Sequence, residues 1–396
     1  MNPKILYASF DTVPSPKGAS THIIEFVKRL GAEFGNVVLL TPNENDGFDP
    51  DFLPGLQHVE VECVDDNPIG RARLFRIAVE EVLSKQPFSI MHFRSIFAGM
   101  AACRSELNRG AALIYEANGF PSVEMKSHYP AIASQRSFIE KLRSQELHCL
   151  RKANQIITVS ETTANFVSAR LGDQQKEITT IPNGASMADF VYRDPPTVDG
   201  PLEILYVGTA SPWQGLGVLL EAVAAVNRQR PCRLTILGPP NRRRNRPLNK
   251  RIEKLGIADL INWYAVDTKP EVNNAFHQAH LTVAPLLADD RNCLQGCCPI
   301  KIIEAMASGC PLIASDLPVV REIAVPEDHF LPARQGDVDN LKNRILELAS
   351  NHDLATRLAQ AARSQYESRL TWAAATNTLV SVYKKLLVGF DARVSK

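Results

Sequence analysis

Residues 289–316 read DDRNCLQGCCPIKIIEAMASGCPLIASD, and this stretch decides the kind of fold to expect. A polar segment leads to a turn at Gly296, and Pro299 suits the first position of a helix because its missing N–H needs no partner there. The spacing predicts a short helix through Ser308, a left-handed cap at Gly309 and a buried strand over 311–315. Backbone N–H groups at a helix start have no intrahelical acceptor, and the helix dipole also favours negative charge there. The stretch is therefore an anion site in outline, and a diphosphate is the expected occupant.

Lys301 and Glu304 are three apart, so they share one face of that helix near its start. An ammonium there reaches a phosphate, and a carboxylate accepts from ribose hydroxyls. The same spacing also suits an exposed ion pair with no ligand.

The chain has 396 residues, enough for two domains that each bury a core. It is 45% hydrophobic and 22% charged with a formal net charge of +1, which gives no global electrostatic case for a nucleic-acid partner. The opening MNPKILYASF has too short an apolar run for a secretory signal, and no run of about 18 apolar residues occurs. A soluble, cytoplasmic protein is expected, with peripheral membrane contact left open. The eight cysteines do not form a disulfide scaffold. Cys293, Cys297 and Cys298 cluster without a second pair of ligands, so no metal site is expected.

Working outward, residues 4–9 read as a strand, a loop containing Gly18 follows, and a helix is expected from Ser20 to about Phe34 with Ser20 or Thr21 as its cap. A strand over 36–41 precedes a polar excursion through Asn67 and a helix over 70–85 with apolar Leu74, Ile77, Ala78 and Val82. Strands over 88–93 and 111–116 flank a helix over 96–107. Strands spaced by helices imply a parallel sheet covered on both faces, with ligands beyond the C-terminal strand ends. The residues to read are thus Phe10, Asp11, His92 to Ser95, Glu116, Asn118 and Gly119. The polar segment after Glu116, with Glu124, Lys126 and His128, reads equally as an acceptor-binding loop or as plain surface.

A helix over 134–151, a strand over 155–159, a helix capped by Ser160 and a strand over 178–181 complete the first half. Prolines and glycines over 195–201 suit an interdomain link. A second alternation then begins at residues 202–207, with Gly208, Gly215 and Gly217 bringing bare backbone near a phosphate and Trp213 as an anchor. Further strands are expected over 233–237, 260–264 and 280–284, and the basic run 241–251 reads as a solvated loop or as a polyphosphate contact. Residues 352–387 are almost wholly helical in pattern. The fold class is α/β, with two doubly wound domains facing across a cleft.

Three motifs carry a resemblance: GTASPWQGLGVLLEA at 208–222, EVNNAFHQAHLTVAPL at 271–286 and QGCCPIKIIEAMASGCPLIASDLPVVREI at 295–323. With PKGAST at 16–21, TVS at 158–160 and IPNGA at 181–185, the chain resembles the GT-B glycosyltransferases of family 4 over nearly its whole length. The resemblance implies two Rossmann-like domains, an acceptor-side domain over 1–185 and a nucleotide-sugar domain over 186–370, with a helix over 371–396 packing back on the first. It implies sugar transfer from a nucleotide diphosphate sugar with retention of configuration, without a metal or other cofactor, to an unidentified lipid, glycan or small-metabolite acceptor. A sugar-nucleotide epimerase and a non-catalytic nucleotide-sugar-binding protein are the alternatives.

Carried onto this sequence, the resemblance assigns donor binding to Gly18, Gly208, Gln214, Gly238, Val266, Arg291, Asn292, Gly296, Ile300, Lys301 and Glu304. Acceptor binding falls to His92, Glu116, Asn118 and Lys126, and catalysis to Asn118, Glu116 and Arg291. Three departures stand out. The first glutamate of the family's Glu-x7-Glu motif falls at Gly296, so 296–304 resembles the variant Gly-x-x-Pro-x-Lys-x-x-Glu. The arginine and lysine common after the strand ending at Val207 are replaced by Thr209 or Ala210 and by Gln214, which leaves charge compensation to Arg291 and Lys301. Asn118-Gly119 replaces a common His-Gly, and an asparagine cannot act as a general base.

Overall fold

The structure is a computed structural model that describes residues 3–15, 17–43, 55–65, 67–108, 110–129, 134–240, 245–266 and 268–394. The chain divides into two compact units. One comprises Met1–Pro182, Gln295–Cys297 and Thr376–Lys396, and the other comprises Asn183–Leu294 and Cys298–Ala375.

In the first unit, the described strands form one seven-stranded sheet in the order β3-β2-β1-β4-β5-β6-β7. They are β1 (Ile5–Ala8), β2 (Val37–Asn43), β3 (Leu56–Glu62), β4 (Ile90–Phe93), β5 (Ala112–Glu116), β6 (Gln155–Thr158) and β7 (Ile178–Thr180), and every pairing is parallel. The central strands ILYA and IMHF are buried at every position, as a sheet covered by helices on both faces requires. The strand order reverses between β1 and β4, so the loops after these two strands part and leave a crevice at their C-terminal ends.

The second unit contains a six-stranded parallel sheet in the order β10-β9-β8-β11-β12-β13. Its strands are β8 (Leu202–Val207), β9 (Cys232–Leu237), β10 (Ile261–Tyr264), β11 (Leu281–Ala284), β12 (Leu312–Ser315) and β13 (Leu331–Ala333). Here the order reverses between β8 and β11. The core joins Leu202, Ile204, Leu234 and Ile236 of the sheet to Leu219, Leu220 and Val223 of helix Leu216–Asn227.

Several local expectations need correcting. The excursion through Asn67 contains β3, whose sequence LQHVEVE alternates and whose burial is partial, as suits an edge strand. Helix Pro68–Lys85 buries Ala72, Phe75, Val79 and Leu83, while Leu74 and Ile77 are 37% and 38% exposed. The expected face was one residue out of phase, because Phe75 and Val79 set the stripe. The segment after Glu116 is not a loop throughout, for Pro121–His128 is helical. Helix Gly18–Phe34 starts earlier than expected, with Lys17 at its cap and Ser20 Oγ accepting from Ser15 N at 2.9 Å. Pro299 occupies the cap of helix Ile300–Ser308 rather than its first position. Strand β13 was not anticipated, and residues 241–244 of the basic run lie outside the described residues.

The corrected helix face yields a test. Phe75→Ala should destabilise the first unit by about 3–5 kcal/mol, whereas Leu74→Ala should cost less than about 1 kcal/mol. Denaturant unfolding of both variants checks this, and equal losses would contradict the burial pattern.

Candidate functional site

Two groups of polar side chains stand at C-terminal strand ends, one in each unit. In the first unit the centre is Glu116, the last residue of β5 and wholly buried. Tyr7 of β1 and His92 of β4 sit opposite one another in the parallel register, so both side chains reach the same face. Tyr7 OH donates to Glu116 Oε2 at 2.6 Å, and His92 Nε2 lies 2.8 Å from the same oxygen. The Arg94 Nε donates to Oε1 at 2.9 Å, His22 Nε2 is 2.8 Å from Oε1, and Asn118 Nδ2 also donates to it. Arg94 continues to Asp11 Oδ2 at 2.7 Å, and Tyr383 OH lies 2.7 Å from His92 Nδ1.

Burial works to raise the Glu116 pKa, but the charges of His22 and Arg94 and the hydrogen bonds from His22 and His92 outweigh it. The carboxyl is held well below the ordinary carboxylate range. Burial lowers the His92 pKa despite the facing carboxylate, and burial together with Glu116 raises that of Tyr7.

This geometry changes the roles open to the expected residues. Glu116 and His92 were expected to touch an acceptor, yet both are fully enclosed with their polar atoms committed to protein partners. They hold a neighbour in place. Asn118 is that neighbour: a carboxylate only accepts, so the amide must turn its NH₂ to Glu116, which leaves Oδ1 with no hydrogen bond among the described residues. Lys126 is half-buried on helix Pro121–His128, and Gly18 opens helix Gly18–Phe34. Arg94 falls within the strand-end residues 92–95 singled out from the sequence, whereas His22 and Tyr7 were not anticipated. A His inside β4 and an Arg just past its end, two positions apart, were the available signal.

In the second unit the loops after β8, β9 and β10 come together. Gly208 N donates to Leu237 O at 2.8 Å, and Gly238 N donates to Tyr264 O at 2.9 Å. A Cβ on Gly238 would stand 2.1 Å from Gly208 O, so the backbones approach too closely for a side chain. Gly208 has φ +136°, and a Cβ there would lie 3.0 Å from Lys301 Nζ. Val266 follows β10 on the same sheet edge and is half-buried. The Lys301 ammonium lies 4.4 Å from the Tyr206 ring centroid, a cation–π contact. Tyr206 OH donates to Thr209 O at 2.7 Å and so ties that loop to its strand.

Helix Ile300–Ser308 is buried along most of its length, with Ile300 and Lys301 half-buried at its start. Glu304 is buried one turn on, and its Oε1 accepts from Lys269 Nζ at 2.7 Å. Arg291 lies on a π-helical turn, Asp290–Gln295, with its guanidinium 5.2 Å from the Trp213 ring. Asn292, expected at the donor, is instead wholly buried: its Nδ2 donates to Leu287 O at 2.7 Å and Trp213 O at 3.1 Å. It clamps two loops. Gln214 is half-buried, and its Oε1 has no hydrogen-bond partner among the described residues.

Gly296 is counted with the first unit, not with the donor-side groups. Its φ is +84°, and a Cβ would stand 2.5 Å from Thr163 Oγ1, 2.6 Å from Thr163 N and 2.7 Å from Ser160 Oγ. The absent glutamate thus has a steric reason in this chain. Nearby, Gln295 Oε1 accepts from Phe120 N at 3.0 Å, and Gln295 Nε2 donates to Glu124 Oε1 at 2.9 Å. Cys298 Sγ accepts from Asn183 N at 3.3 Å, and among the described residues no group of three or more His, Cys, Asp or Glu is arranged to hold a metal ion. No helix among the described residues is long and apolar enough to cross a membrane.

Residues 16–188 match the family described as Glycosyltransferase Family 4, and residues 191–365 match Glycosyl transferases group 1. The chain belongs to this glycosyltransferase family. It is 24% identical over 242 residues to the MMP alpha-(1->4)-mannosyltransferase of Mycolicibacterium hassiacum, a match covering 60% of this chain and 55% of that protein. The chain thus spans about half the length of the first relatives it matches. Sucrose-phosphate synthase from Thermosynechococcus elongatus superposes with a TM-score of 0.80 at 17% identity, covering 98% of this chain and 100% of that one. Anabaena HepE, solved in complex with UDP-glucose, gives 0.74 at 16% identity over 97% of this chain and 100% of that one. The fold is GT-B, with two Rossmann-like α/β units.

Two predictions concern the first unit. Because the folded-state pKa of Glu116 is depressed, its contribution is present above the unfolded carboxyl's value of about 4.3 and is lost as pH falls through the folded value. His92 adds to the loss below its ordinary value of 6.5, since its folded pKa is lowered too. Acid titration followed by circular dichroism should therefore show Glu116→Gln less stable by about 3–5 kcal/mol at neutral pH, with a shallower decline in acid. A variant as stable as the parent at pH 7 would contradict the network. Second, Gly296→Glu should lower stability by at least about 1–3 kcal/mol, given the left-handed backbone and the Thr163 contact. Unchanged thermal unfolding would show that the site has room after all.

Proposed function

We propose that the protein is a retaining glycosyltransferase, moving a sugar from a nucleotide diphosphate sugar to a hydroxyl acceptor on a lipid, glycan or small metabolite, without a metal or other cofactor. The observation that carries this reading is Lys301 on the first turn of helix Ile300–Ser308 beside the bare backbone of Gly208, which itself meets Gly238, with Glu304 one turn further along the same helix. Bare backbone gives a diphosphate access, and the ammonium and the helix start supply positive potential. Glu304 is the acceptor for ribose hydroxyls. HepE being solved with UDP-glucose and a relative being named a mannosyltransferase support a nucleotide-sugar donor.

As the bond from the anomeric carbon to the diphosphate oxygen breaks, negative charge gathers on the leaving group. Lys301 and the first-turn N–H groups meet that charge where it develops, and Arg291 is assigned as a second cation. The acceptor hydroxyl attacks from the face the leaving group departs, and its proton passes to a phosphate oxygen. The products are a glycoside of retained configuration and a nucleoside diphosphate bearing that proton. No protein carboxylate takes the proton, which agrees with a Glu116 whose oxygens are already committed. Asn118 Oδ1, aimed by Glu116, receives a hydrogen bond from the acceptor.

Lys301→Ala should weaken nucleoside diphosphate binding by about tenfold or more, since a charge-assisted contact is worth about 1.5–3 kcal/mol. Isothermal titration with UDP and GDP measures this, and equal affinities would refute the assignment. With an acceptor found, NMR of the product should show the donor's anomeric configuration, and a chelator should leave the rate unchanged. An inverted product or a chelator-sensitive rate would overturn the corresponding part of the proposal.

A further inference from the structure

Lys269 stands where helix physics disfavours it. It is the first residue of helix Lys269–Gln278, and an ammonium at a helix start faces the positive end of the dipole. That start is otherwise built for negative charge: Thr268 and Glu271 form a capping box, with Thr268 Oγ1 donating to Glu271 Oε2 at 2.7 Å. The Lys269 side chain turns away to Glu304, its Nζ 2.7 Å from Oε1 and 6.0 Å from the Phe190 ring centroid. The Glu304 side chain is 6% exposed and that of Lys269 35%. Oε1 is therefore held by a cation from a second helix, while Oε2 receives no hydrogen bond among the described residues.

An ionised carboxylate has acceptor capacity on both oxygens, and Oε2, which is not among the enclosed polar atoms, is open to accept from a ligand. A ribose diol supplies donors for it. We propose that Lys269 is a positioning residue for ribose recognition, fixing Glu304 Oε1 so that Oε2 faces the vicinal hydroxyls of a nucleoside diphosphate. The inference rests on the nucleotide assignment made above. Without Lys269, Glu304 loses its single anchor and swings toward water, and the site stops distinguishing ribose from deoxyribose. A site built to pair with a hydroxyl rejects a ligand lacking it because the site's own polar group is then left unpaired.

The test titrates the full chain and its Lys269→Met, Lys269→Gln and Lys269→Arg variants with UDP and GDP and with their 2′-deoxy and 3′-deoxy forms. The parent should bind its preferred ribonucleotide roughly tenfold or more tighter than one deoxy form. In Lys269→Met that ratio should shrink to about threefold or less through loss of ribonucleotide affinity alone, and Lys269→Arg should restore most of it. Lys269→Gln repeats the comparison should the Met variant fail to unfold cooperatively. An unchanged ratio, an equal loss for ribo and deoxy forms, or tighter ribonucleotide binding in Lys269→Met would each overturn the role. A parent chain that binds none of the probes would overturn the nucleotide assignment and this inference with it; failure confined to the variants leaves the assignment standing.

Discussion

The donor-side group depends on one close approach. The carbonyl of Gly208 stands 2.1 Å from where a Cβ on Gly238 would be, so the loops after β8 and β9 meet as bare backbone. A larger residue at Gly238 forces the loops apart, and at Gly208 a side chain meets an unfavourable φ of +136° and the Lys301 ammonium. Lys301 then loses its place beside Gly208 and over the Tyr206 ring. Parallel strands deliver these loops to one edge of the sheet, and the reversal between β8 and β11 opens space there. Fold and chemistry are linked through that constraint, not through an abundance of charged groups.

The two units treat buried carboxylates differently. Glu116 has its oxygens met by Tyr7, His92, Arg94 and Asn118, with His22 adjacent, which makes it a fixed point that orients others. Among the described residues Glu304 has one cationic partner, Lys269, and an oxygen left over. A saturated carboxylate supports structure, and one with an oxygen open to the surface can accept from a ligand. The contrast separates positioning from recognition among groups that sequence alone treats as equivalent.

Much of the fold was legible because the buried strands are short apolar runs and the helices between them are punctuated by glycine and proline. Strand β3 escaped notice because LQHVEVE is polar on one face, and the stripe of helix Pro68–Lys85 was misplaced by one position because apolar residues occur on both sides of it. In the candidate sites, Lys301 and Glu304 could be read from their spacing within one helix. Lys269 and His22 could not, since their partners lie far away in sequence and only the fold joins them, and Arg94 was marked by its place at a strand end but not by its pairing with Glu116. Gly296 was visible as a departure from a motif, but its reason lies in Thr163 and Ser160.

The central claim is that the start of helix Ile300–Ser308 holds the diphosphate and ribose of a nucleotide sugar. A crystal structure of the full chain soaked with UDP or GDP tests it directly. The account predicts a phosphate oxygen within hydrogen-bond distance of Lys301 Nζ and ribose hydroxyls on Glu304 Oε2, with the Lys269–Glu304 pair intact. Nucleotide bound elsewhere, or bound here with Lys301 and Glu304 making no contact, would contradict it.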